Sequence, residues 1–199
     1  MEKDRAAEAV RQFLAALDVD VEARGMERTP ARVAAMFAYL FGGLDRDAAA
    51  VLTPPLVTET TGLVAVTRIP FSSLCEHHLV PFYGTVDIVY EPHAGRVAGF
   101  SRFVEAVDVL ARRPQLQERL TREIAEAVLR GLGAEGVLVV CCAHQFCMAL
   151  REGGTQETRT VTSEALGCLR AGGARAQAAW AMLGGACGDS TAAEDRARG

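Results

Sequence analysis

Apolar residues recur every three to four positions at Ala6, Val10, Phe13 and Leu17, which predicts an amphipathic helix over residues 4–18. Thr29-Pro30 predicts a second helix start, because threonine can cap free amides and proline suits the first helical turn. Val33, Met36, Phe37 and Leu40 give that helix its apolar stripe, and Gly42-Gly43 ends it. Residues 45–61 lack a period and carry Pro54-Pro55, so they are expected to form a loop. From Leu63 the period falls to two. Residues 63–69 and 84–90 alternate like half-buried strands on either side of a turn over Cys75 to Phe82.

Further on, Phe103, Ala106, Val107 and Leu110 predict a helix that Ser101 could cap, and after Pro114 a second runs through Leu116, Leu120, Ile124 and Val128 to Gly131. Val137 to Cys142 predicts a buried strand leading to Cys147, Gly153-Gly154 a turn, Thr158 to Ser163 a last strand, and residues 174–184 a terminal helix. Antiparallel strands with helices grouped on one side make an α+β domain. The expected organisation is an N-terminal helical region over 1–60, a main domain over 61–187 and a disordered tail over 188–199.

With 199 residues, half of them hydrophobic, the chain can bury a full single-domain core. A net charge of −4 without any lysine and arginine cluster argues against nucleic-acid binding, so phosphate recognition has to be local. The charged start and the lack of a long apolar run predict a cytoplasmic protein with no membrane contact. Six cysteines (75, 141, 142, 147, 168 and 187) are then expected as thiols or metal ligands, with Cys141-Cys142 in the core.

The chemistry concentrates in Cys75-Glu76-His77-His78 and Cys147. Zinc takes thiolate sulfur and imidazole nitrogen, and a catalytic site keeps only three protein ligands so that the fourth position stays open. Cys75, His78 and Cys147 make such a set, and the spacing of the first two lets one tight turn present both. His77, pointing elsewhere, is a candidate acid or base.

The segments Pro70 to Gly84, Val97 to Arg102, Arg113 to Thr121, Cys147 to Arg151 and Thr160 to Ser163, together with Arg28 to Val33, resemble GTP cyclohydrolase I over residues 8–185. The resemblance implies the tunnelling fold (T-fold) and a homodecamer whose active sites draw on more than one subunit. It implies opening of the imidazole ring of GTP, with formate released and dihydroneopterin triphosphate formed. Cys75, His78 and Cys147 match the family's zinc ligands and His77 a catalytic histidine. Gln117 and Glu118 match the guanine-recognising position, where a carboxylate accepts hydrogen bonds that adenine cannot give. Arg151 matches a phosphate-binding arginine, and Ser101-Arg102 a Ser-Lys pair that touches the triphosphate.

Two positions depart from that pattern. Two residues before the last cysteine ligand, where the family has a second catalytic histidine, stands Gln145, with His144 one residue earlier. Neighbouring residues of a strand face opposite sides, so His144 is expected to turn away from the site unless a bulge restores it. Glutamine hydrogen-bonds but carries no ionisable proton. Glu105 stands where an arginine is directed at phosphate, and pairing with Arg102 is expected to offset its charge. These departures keep three alternatives open: a paralogue that stops at a ring-opened or deformylated pyrimidine or uses fewer phosphates, a zinc protein that binds a guanine nucleotide without catalysis, and a T-fold relative that reduces a nitrile or converts pterins. The Cys-Glu-His-His turn argues against the last.

Overall fold

A computed structural model describes residues 2–150 and 158–184. Helices α1 (Lys3–Ala15) and α2 (Thr29–Leu40) are followed by a short α3 (Ala48–Val51) and a two-residue β1 (Leu56–Val57). Strands β2 (Val64–Cys75) and β3 (Pro81–Glu91) form a long hairpin, and β4 (Arg96–Val97), α4 (Phe100–Ala111), β5 (Pro114–Gln115) and α5 (Gln117–Leu132) follow. The described chain ends with β6 (Gly136–Gln145), α6 (Phe146–Ala149), β7 (Arg159–Gly167) and α7 (Ala174–Met182). The main sheet has the order β5-β2-β3-β6-β7. It is antiparallel except where β5 runs parallel to β2.

This is the expected α+β architecture. Helices α4 and α5 cover one face of the sheet, where Phe103, Val107, Leu120, Ile124 and Val128 meet Phe82, Val86, Ile88, Val139 and Cys141. The other face carries a smaller core in which Val89, Leu138 and Val140 meet Leu169 and, from the α7 region, Ala179 and Leu183. No helix among the described residues is long and apolar enough to cross a membrane.

Local details differ from the sequence expectations where tertiary contacts supply what periodicity does not record. The expected loop over 45–61 contains α3, whose first turn is capped by Asp47 accepting from the Ala49 amide at 3.0 Å, and β1, which pairs with β4. Gly131 lies inside α5, where a Cβ would come within 2.7 Å of the Ala49 carbonyl oxygen. The missing side chain lets α3 pack against the helix, and the helix end falls to Gly133, in the left-handed region at φ 59°. Thr29 and Ser101 sit within their helices, which have Arg28 and Gly99 at their caps. Among the described cysteines 75, 141, 147 and 168 are not in disulfides. Cys142 is disulfide-bonded, a departure from the expectation of thiols and ligands throughout. The predicted Gly153-Gly154 turn, Arg151, Cys187 and the tail over 188–199 lie outside the described residues.

One irregularity in β2 decides what the site can be. Val66 pairs with Ile88 but Ile69 with Val86, so β2 holds one extra residue against β3. The bulge is built on Arg68, at φ 59°, whose amide donates to the buried Asp87 carboxylate at 2.6 Å. Burial raises the Asp87 pKa, and this hydrogen bond opposes the rise. Before the bulge the even residues Val64 and Val66 pack on the helix face, whereas after it the odd residues Ile69, Phe71 and Cys75 do. The extra residue therefore turns Cys75 towards α5. Asp87→Ala is expected to cost ~1–3 kcal/mol, the penalty of a buried amide left without an acceptor, and to lower zinc content, whereas Asp87→Asn keeps an acceptor and most of both. Thermal melting and metal analysis of the two variants test this.

Candidate active site

Strand β2 ends on Cys75 and β3 begins on Pro81, so the turn between them is shorter than predicted. The Cys75 amide donates to the Val80 carbonyl at 2.9 Å and the Leu79 amide to the Cys75 carbonyl at 2.8 Å. Leu79 takes the left-handed conformation, at φ 52°, that closes the turn. Cys75 is buried, and its Sγ lies 4.0 Å from His78 Nδ1. Cys147, on α6, completes a group whose ligand atoms all lie within 4.8 Å of one another. The edge of a tetrahedral zinc site between sulfur and nitrogen is about 3.6 Å, from bond lengths of ~2.3 and ~2.05 Å. Two thiols and an imidazole at this spacing fit that ion with slight closure. His77 does not join them: its side chain is 63% exposed and its Nε2 lies 4.0 Å from Glu76 Oε1.

The turn is tied to the start of α5. The Glu76 amide donates to the Gln115 carbonyl at 3.0 Å. Both Glu76 carboxylate oxygens accept from Arg119, at 2.7 and 3.0 Å. The hydrogen bonds from Arg119 hold the Glu76 carboxyl below its ordinary pKa. This forked pair was not foreseen from the sequence, in which opposite charges 43 residues apart carry no spacing signal. Glu76→Ala is expected to weaken zinc binding about tenfold, the usual effect of losing a group that orients a ligand segment; competition with a chromophoric chelator measures it, and restoration by Glu76→Gln, which keeps one acceptor, separates orientation from charge.

Gln117 and Glu118 occupy the first turn of α5 and behave differently. Gln117 is buried, and its Nε2 donates to the backbone carbonyls of Cys141 and Thr160, each at 3.0 Å. Its Oε1 accepts from Thr160 Oγ1 at 2.8 Å and Gln145 Nε2 at 2.7 Å. Every hydrogen-bonding position of the Gln117 amide is thus met inside the fold. Glu118 is exposed beside it, in the electropositive first turn of the helix.

A GTP cyclohydrolase I family model matches residues 6–183. This chain belongs to the GTP cyclohydrolase I family. It is 39% identical to GTP cyclohydrolase 1 of Carboxydothermus hydrogenoformans over 184 residues, 92% of this chain and 96% of that one. It is 45% identical to the Lysinibacillus sphaericus protein of the same name over 160 residues, covering 80% and 85% of the two chains. A solved structure of an archaeosine synthase QueF-Like in the apo form covers 55% of this chain and 97% of its own at 19% identity, with a TM-score of 0.46.

As a GTP cyclohydrolase I family member, the chain departs from the pattern at two positions whose surroundings are now visible. Strand β6 pairs with β3 without interruption from Gly136 to Gln145, so no bulge rotates its end. His144 and Gln145 consequently face opposite sides. Gln145 reaches Gln117 on the helix side, whereas the His144 ring stacks on Tyr83, with centroids 5.5 Å apart and planes at 25°. Glu105 does not pair with Arg102 as expected: it takes Arg46 at 2.8 Å. Arg102 Nη1 donates to the carbonyls of Val51 at 2.6 Å and Thr53 at 3.3 Å, which fastens the segment after α3 to the start of α4. Ser101 is exposed beside it.

Proposed function

We propose that the protein opens the imidazole ring of a guanine nucleotide, GTP first among them, and releases formate, with zinc held by Cys75, His78 and Cys147. The observation that carries this reading is the three-donor group at the head of the β2–β3 hairpin, joined by Glu76 and Arg119 to the helix turn that bears Glu118. When bound, zinc supplies Lewis acidity that lowers the pKa of water towards neutrality. Carbon eight of the purine is a weak electrophile, so that assistance is what the reaction needs. Addition of water there breaks the bond to nitrogen nine. The two protons of the water end on nitrogens seven and nine, leaving a formamide. A second water cleaves the formamide to formate and a free amine.

The chain's own residues divide the remaining work. Glu118 accepts hydrogen bonds from the ring amide and amino group of guanine, and adenine is rejected for want of them. Gln117 orients that turn. His77, exposed and beside the Glu76 carboxylate, carries protons to the departing nitrogen. Ser101 and Arg102, whose Nε and Nη2 have no hydrogen-bond partner among the described residues, meet the phosphates with Arg151. His144, stacked on Tyr83, takes no part on the helix side. The exposed His77, His78 and Glu118 leave the site open in a single subunit, and exposed Tyr83, Phe146, Leu150 and Val161 rim that end of the sheet. Both features support a neighbouring subunit that closes each site, as in the homodecamer that the family resemblance implies.

Gln145 in place of an ionisable group favours a second reading, in which the reaction stops at the formamide or the amine and goes no further towards dihydroneopterin triphosphate. Incubating zinc-loaded protein with GTP, GDP and GMP, while following formate and pterin fluorescence, separates the two. Fluorescence at a normal rate from GTP excludes the second reading, and binding without formate from any of the three leaves a non-catalytic guanine-nucleotide protein. If Cys75→Ala loses folding along with zinc, the ion is structural.

A further inference from the structure

Hydrogen-bond accounting around Gln117 fixes the orientation of Gln145. Two backbone carbonyls, which cannot donate, face one atom of the Gln117 amide, so that atom is the nitrogen and the other is the oxygen. The Gln145 atom 2.7 Å from that oxygen has to be a donor, so Nε2 points at Gln117 and Oε1 points away from it. Thr160 Oγ1, 2.8 Å from the same oxygen, holds the arrangement from β7. Gln145 is only half-buried, and no partner among the described residues takes its Oε1. What remains without a hydrogen-bond partner among the described residues is an amide edge with one acceptor, Oε1, and the second hydrogen of Nε2. That edge is tied to the neighbour of Glu118 and lies two residues before the metal-group cysteine Cys147.

We propose that Gln145 is a specificity-determining residue whose amide edge recognises an adjacent N–H and C=O pair, and therefore binds the ring-opened formamide in preference to the intact purine. The proposal rests on the guanine-nucleotide reading above. An intact guanine presents a bare acceptor at nitrogen seven and a carbon-bound hydrogen at carbon eight. After ring opening the same atoms present an N–H donor and a carbonyl acceptor, which an amide edge pairs with twice. A histidine presents one nitrogen at a time and makes at most one of those bonds. Its replacement by glutamine exchanges a proton carrier for a product-shaped clamp, and this selects the formamide stage as the state held longest.

Two unreactive nucleotides isolate this effect. In 8-oxo-GTP nitrogen seven carries hydrogen and carbon eight a carbonyl, the donor and acceptor pair of the formamide; 7-deaza-GTP has only C–H groups there. Calorimetric titration of the zinc-loaded full chain is expected to give at least tenfold tighter binding of 8-oxo-GTP. In Gln145→Met, which keeps size without the amide, and in Gln145→Glu, which keeps one acceptor, the preference is expected to fall to threefold or less. A preference that is absent in the native protein, or that survives both substitutions, overturns the proposal. If neither nucleotide binds the native protein, the guanine-nucleotide reading itself has failed. A second measurement does not depend on the variants folding equally well. In a single turnover with GTP, the native protein is expected to build up formamide before formate appears; simultaneous appearance of ring opening and formate counts against the clamp.

Discussion

Cys147→Ala is expected to lose bound zinc and to slow formate release from GTP on the order of a thousandfold or more, because two remaining donors neither retain the ion nor leave its Lewis acidity in place. Cys147 is chosen over Cys75 for a structural reason. Cys75 belongs to the buried core between β2 and α5, whereas Cys147 lies half-buried on the short α6 and only packs against that core. Truncating it removes little packing, so the melting temperature of the zinc-free protein should move by only a few degrees. Metal analysis of purified protein, a formate assay and a thermal melt together read the three quantities. Full zinc content with unchanged formate release would remove the metal centre from the mechanism.

Glu118→Gln is the second large effect. Its carboxylate is exposed and makes no side-chain hydrogen bond among the described residues, so the fold depends on it only through the helix terminus, worth about 0.5 kcal/mol at an exposed position. Under the proposed function, recognition of guanine is expected to depend on it far more. The amide of glutamine can accept one hydrogen bond but presents a donor to the second guanine donor, and this mismatch, with the loss of a charge-assisted bond, is expected to lower kcat/KM for GTP ~10³-fold. Steady-state kinetics beside a melting curve measure both sides of the contrast. Unchanged kinetics would move guanine recognition elsewhere on the surface.

The Cys75–His78 turn and Glu118 were legible in the sequence because their chemistry is local. Cys75 and His78 lie three apart, a spacing at which one tight turn can present both, and in the fold their donor atoms lie 4.0 Å from one another. Glu118 lies just after Leu116, where the helical period through Leu120, Ile124 and Val128 sets in, so its place in the first turn follows from pattern alone. The division of labour between Gln117 and Glu118 was not legible. It depends on β6 and β7 backbone carbonyls 24 and 43 residues away, which take both donors of the one amide, and on Thr160 and Gln145, which donate to its oxygen, while the neighbouring carboxylate stays in solvent. The fate of Glu105 was misjudged for the same reason: its partner proved to be Arg46, 59 residues away.

The sequence by itself determined the longer helices and strands, the α+β class and the donor set, since hydrophobic period and ligand chemistry are read from residue types along the chain. Which face each of those residues occupies was decided only in the tertiary structure. Simple alternation from Val64 and Val66 would have put Leu74 towards α5 and turned Cys75 away; one extra residue at Arg68, anchored on Asp87 from the adjacent strand, reverses that. At the end of β6 the absence of such a residue keeps Gln145 towards the site and His144 away from it. In a strand the side-chain period is two, so a single inserted residue inverts everything that follows. Whether it is inserted depends on a partner strand that the local sequence does not contain.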